Sequence, residues 1–211
     1  NFSLSESNIG DADVYYDFYR NGTVAAILHF DEGSGNYTFD ESGNNNTGSL
    51  TYDTSWSNDC KFGSCLEFDG DSAGVNFGDT FNLSSGSIEM WVKLAENYNS
   101  SRTDEEDLFI KNLGGSNAGD AYFYFRPSDG KVAFWIDDGA TSHGIASNEG
   151  SWKANQWYHL LVSFGSDGMK MYVNGSLQTD TDTYTGGIGN NGANAVISGF
   201  SDGAVNGTIE E

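Results

Sequence analysis

"QWYHLLVSFGSDGMKMYVNG", residues 156–175, decides the fold of this 211-residue chain. From Trp157 to Phe164 the residues alternate, so Tyr158, Leu160, Val162 and Phe164 share one side of an extended segment. Trp157, His159, Leu161 and Ser163 share the other. "GSDG" then supplies a turn, after which Met169, Met171 and Val173 repeat the inward set while Lys170, Tyr172 and Asn174 face outwards. A period of two on both sides of a turn predicts a hairpin with one face in a core.

The same pattern extends in both directions along the chain. "TVAAILHF" (23–30), "SCLEFDG" (64–70), "SIEMWVKL" (87–94), "DLFIKN" (107–112), "AYFYFR" (121–126), "KVAFWID" (131–137) and "NAVISGF" (194–200) all read as strands, and no stretch sustains a helical period. The 28 glycines, single proline and 30 aromatic residues suit many short strands joined by turns. "PSDG" (127–130) predicts a second hairpin. With a four-residue loop, Arg126 faces Lys131, Tyr124 faces Ala133 and Tyr122 faces Trp135 on one side. Phe123, Phe125, Val132, Phe134 and Ile136 fill the other. Residues 1–22 precede the first strong strand as a lead-in or extra strand, and 23–211 form one all-β antiparallel two-sheet sandwich.

Thirty-one acidic residues against nine basic ones give a formal charge of −22. Such a surface repels nucleic acid and anionic lipid, favours cations or neutral ligands, and suits a high-salt milieu in which self-repulsion is screened. No run of about 18 apolar residues is present, so direct membrane insertion is not expected. Cys60 and Cys65 fit neither CxxC nor a zinc spacing. As a disulfide they would lock a local bend; as free thiols they would be silent. Eight N-x-S/T sequons, at Asn1, Asn21, Asn36, Asn45, Asn82, Asn99, Asn174 and Asn206, are candidate glycosylation sites. Together with the cysteine pair they point to an extracellular or cell-surface location.

In order along the chain, "HFDEGSG", "FDESGNNNTG", "KFGSCLEFDG", "GSIEMWVK", "QWYHLLVSF...MKMYVNG" and "NGTIEE" resemble the laminin-G-like, concanavalin A-like jelly-roll family. The resemblance implies a non-catalytic recognition or adhesion module of a larger surface protein, with a glycan or a cell-surface protein as partner. It also implies a structural calcium ion tying the opening strand to the final one, with Asp31, Asp40, the Gly43 carbonyl and Glu210 as ligands. Oxygen-rich Asp/Gly/Asn loops are what Ca²⁺ requires. Asp69 and Asp71 in "DGD" form a lesser candidate. In relatives the last strand continues beyond the position of Glu211, so the final strand here is expected to be truncated, leaving an open sheet edge suited to self-assembly by strand exchange.

Enzymatic patterns are weak. The jelly roll also carries glucanases, but "EFDGDS" offers Glu67 and Asp69 with Ser72 where a second acid would be needed. There is no GxSxG, HExxH or P-loop, and His29, His143 and His159 show no triad or zinc spacing. The outward side of the second hairpin is the better site. Tyr122, Tyr124 and Trp135 offer flat faces for the CH-rich sides of sugars, with Arg126 as a directional donor. The competing expectation is that loops cover this side.

Overall fold

The computed structural model describes residues 24–70, 73–114, 117–198 and 206–210. The lead-in 1–22, with Asn1 and Asn21, and Asp71, Ser72 and Glu211 lie outside the described residues. So do the side chains of Asn206 and Glu210.

Two antiparallel sheets form a sandwich. The first joins β1 (Tyr37–Thr38), β2 (Gly48–Thr51), β5 (Gly74–Asn76), β16 (Ala195–Ile197), β8 (Glu106–Lys111), β9 (Ala121–Arg126), β10 (Lys131–Asp137) and β11 (Ser142–Ala146), in that order. The second runs β15 (Ser176–Leu177), β14 (Lys170–Val173), β13 (Trp157–Phe164), β6 (Gly86–Leu94), β17 (Asn206–Glu210), β4 (Cys65–Asp69) and β3 (Ser55–Ser57). A small ribbon pairs β12 (Ser151–Trp152) with β7 (Tyr98–Asn99). No helix occurs among the described residues.

The first hairpin forms as its alternation predicts. Tyr158, Leu160, Val162, Phe164, Met169, Met171 and Val173 are buried and join one core cluster with the inward side of β6. In the turn Gly168 adopts φ +78, and a Cβ there would lie 2.4 Å from the Asp182 carbonyl oxygen, so the turn needs glycine. The second hairpin pairs Arg126 with Lys131, Tyr124 with Ala133 and Tyr122 with Trp135, and Phe123, Phe125, Val132, Phe134 and Ile136 are wholly buried.

One expectation is corrected. "TVAAILHF" holds no strand among its described residues, because the backbone amide of Ile27 is taken by the Asp40 carboxylate (3.0 Å) and its carbonyl by Glu41 N–H (2.9 Å). Over its described residues β17 is paired on both sides, with β4 through Asn206–Ile209 and with β6 through Gly207–Glu210.

The β11 edge is closed in an unusual way. Its outward amides at Gly144, Ala146 and, just beyond it, Asn148 donate to Asp182 Oδ2 (3.3 Å), Asp180 Oδ2 (3.0 Å) and Gln178 Oε1 (2.8 Å). Alternate residues of one segment thus supply side-chain oxygens where a neighbouring strand would supply carbonyls.

Candidate functional site

Alternation along β9 and β10 sends Tyr122, Tyr124, Arg126 and Trp135 to the outer face of the first sheet. Tyr124 packs edge-on to Tyr122 (centroids 6.5 Å) and to Trp135 (6.4 Å). Tyr124 is buried on Ala133 and Ala146, whereas Tyr122 and Trp135 are half-buried. Neighbouring strand side chains therefore cover one aromatic and leave two partly accessible. Burial, helped by the nearby Glu105, pushes the Tyr124 phenol up to about 12, and Tyr122 is raised by burial and by Asp120. Both stay neutral donors at ordinary pH. The Tyr122 hydroxyl is hydrogen-bonded by the Asn112 amide.

Gly144 stands opposite Trp135 in the register, and a Cβ there would come within 2.9 Å of the indole Cδ1. Its missing side chain leaves the indole room to lie over β11. Arg126 donates from Nε to Asp129 Oδ1 (3.0 Å) and from Nη2 to Oδ2 (2.6 Å), a bidentate pair. That hydrogen bonding holds the Asp129 carboxyl below its ordinary range.

Two grooves meet here. One, of about 360 Å³, is lined by Glu105, Tyr124, Arg126, Pro127, Ser128 and Trp135. The other, of about 220 Å³, is lined by Arg126, Trp135, Ser142, Gly144, Ala146 and Asp180 among others. Trp135 and Arg126 belong to both. Sequence reading missed Glu105, Gly144 and Asp180. For Asp180 a signal existed, since Gln178, Asp180 and Asp182 repeat at a period of two.

The outer face of the second sheet carries similar residues in a different state. Lys61 Nζ sits 3.9 Å from the Trp91 ring centroid, and Lys93 Nζ 5.1 Å from that of Trp157. Lys93 also holds Asp59 through its carbonyl (2.6 Å) and carboxylate (2.9 Å). The Cys60–Cys65 disulfide forms, so this roof is a closed loop. His159 packs on Trp91 (4.9 Å) and pairs with Glu89 (2.6 Å).

Of the expected calcium ligands, Asp31, Asp40 and Gly43 lie among the described residues. Asp40 Oδ1 accepts N–H from Ile27 and Ser42 and Oδ2 from Asn46, leaving about one of its four lone-pair positions. Burial opposes ionisation of Asp40, yet the hydrogen bonds from Ser42, Asn46 and Ile27 outweigh it and hold the carboxyl low. Asp31 lies beside Gly63 of the disulfide loop, and Gly43 has φ +87. Among the described residues no three His, Cys, Asp or Glu side chains group as a metal site. Glu67 is exposed on β4, and Asp69 Oδ1 accepts the Ala73 amide (3.3 Å). Asn36, Asn45, Asn82 and Asn174 are exposed and Asn99 is half-buried.

The sequence pattern of the concanavalin A-like lectin/glucanases superfamily matches residues 69–211. No curated protein is similar enough to match. Among solved structures, domain 4 of AbnA, a GH43 extracellular arabinanase from Geobacillus stearothermophilus solved with arabinotriose, is 18% identical with a TM-score of 0.65. The alignment covers 89% of this chain and 91% of that domain. The binding domain of botulinum neurotoxin serotype D is 15% identical with a TM-score of 0.57, over 88% of this chain and 45% of that one. At such identities the likeness is one of fold.

Proposed function

The chain belongs to the concanavalin A-like lectin/glucanases superfamily, and on that footing we propose that it is a non-catalytic glycan-binding module of a larger extracellular or cell-surface protein. The observation that carries this reading is the half-buried Trp135, given space by Gly144 and flanked by two grooves that share Arg126. An indole face stacks on the CH-rich side of a sugar ring, while Arg126, Ser128 and the Tyr122 hydroxyl give direction. The likeness to an arabinanase domain solved with a trisaccharide supports the same class of ligand. The acid pair considered from the sequence, Glu67 and Asp69, stands on β4 of the second sheet and does not line these grooves.

Calcium is a lesser part of the proposal, as a stabiliser held by Asp31, Asp40, the Gly43 carbonyl and Glu210. An ion there would compete with the three amides on Asp40. The test of the main reading is a glycan array followed by calorimetric titration of its hits. Binding that Trp135→Ala abolishes is expected; hits that Trp135→Ala and Tyr122→Ala leave unchanged would move the site elsewhere.

A further inference from the structure

We propose that this site selects uncharged oligosaccharides and turns away glycans that carry carboxylate or sulfate, a refinement that rests on the glycan-binding reading above. The guanidinium that could draw an anion is already engaged, because Asp129 takes its Nε and Nη2 hydrogens with both carboxylate oxygens. The remaining Arg126 hydrogens can still donate to a hydroxyl, but the charge is largely compensated. Each groove then adds an exposed acid of its own, Glu105 in one and Asp180 in the other. Against the three acids Asp129, Glu105 and Asp180 the face sets Arg126 and Lys131, which are cross-strand partners.

The balance around the two grooves is negative, and it stands within a chain of formal charge −22. Sugar hydroxyls are donors as well as acceptors, so a neutral glycan turns the same carboxylates into charge-assisted hydrogen-bond partners. Asp180 has the geometry for this: Oδ2 is committed to the Ala146 amide (3.0 Å), which fixes the carboxylate beside the groove. A uronate or sulfate ester in that place faces repulsion that costs on the order of tenfold or more in affinity at low salt.

The experiment is an array of arabino-, xylo-, manno- and gluco-oligosaccharides beside oligogalacturonates, sialylated and sulfated glycans, read at 50 mM and at 1 M NaCl. Affinities of the strongest neutral and anionic compounds are then measured for wild type and for Glu105→Gln/Asp180→Asn, whose amides keep the acceptor oxygens. Neutral hits that salt leaves unchanged are expected. So is a gap of about tenfold or more to the anionic compounds at low salt, narrowing at high salt and in the double variant. Anionic glycans bound as tightly as neutral ones at 50 mM NaCl would overturn the selectivity while leaving the glycan reading intact. Silence across the whole array overturns both.

Discussion

The two outer faces of the sandwich are built from the same ingredients and end in opposite states. On the second sheet Trp91 and Trp157 each have a lysine over the ring, and the Cys60–Cys65 loop that brings Lys61 also clasps Lys93 through Asp59. On the first sheet Arg126, which lines both grooves with Trp135, is paired with Asp129, and glycine faces the indole instead of a side chain. One set of aromatics is capped by lysines, and the other is the face proposed above to take a ligand. Counting aromatics on a surface therefore says little; what covers their faces decides.

The comparison breaks most directly by exchange of the two tryptophans. Trp135→Ala should weaken glycan binding on the order of thirtyfold or more, with an unfolding midpoint close to wild type. Trp91→Ala should do the reverse, with affinity within about twofold of wild type and a stability loss of about 2 kcal/mol in denaturant titration. Equal effects of both variants on binding would erase the distinction. Removal of the roof is the next test. Replacing Cys60 and Cys65 by serine should cost about 2 kcal/mol, shift Trp91 emission and leave glycan affinity alone.

A smaller effect sharpens the site itself. Gly144→Ala drives a methyl into the indole, for which a roughly tenfold loss of affinity is expected, greater than its effect on the melting temperature. Acid titration separates the faces further. The Asp129 carboxyl is held below its ordinary value, so its pairing contributes stability above about pH 4 that disappears as pH falls through the lowered folded value. Asp129→Asn should flatten that acid limb and, by releasing Arg126, raise affinity for anionic glycans. The least change is expected from chelator, which should lower the melting midpoint by a few degrees at fixed ionic strength without touching glycan binding. An unchanged midpoint would sink the calcium proposal.

Much of this was legible in the chain. The hairpin register from Tyr122 to Trp135 follows from alternation and one turn length, because a sheet repeats every two residues whatever surrounds it. The grooves were not legible, since Glu105, Arg126 and Asp180 come from three separate parts of the chain and meet only when the sheet is assembled. "TVAAILHF" misled for a related reason: its apolar pattern suits a strand, but the carboxylate of Asp40 claims the amide that a partner strand would need. The lysine over Trp91 depends on a loop closed by a disulfide whose formation the spacing alone left open.

The rungs along β11 have a last consequence. A ninth strand would satisfy Gly144, Ala146 and Asn148 but would present its own row of amides on the far side, passing the same vulnerability outwards. Asp182, Asp180 and Gln178 accept through side-chain oxygens; the two carboxylates bring no hydrogen to donate onward, and the Gln178 amide donates to the Ser176 carbonyl of its own segment (2.8 Å). The segment works as a chain terminator does in polymer growth: it occupies the Gly144, Ala146 and Asn148 amides with side-chain oxygens, so a strand from another copy finds those three donors already taken.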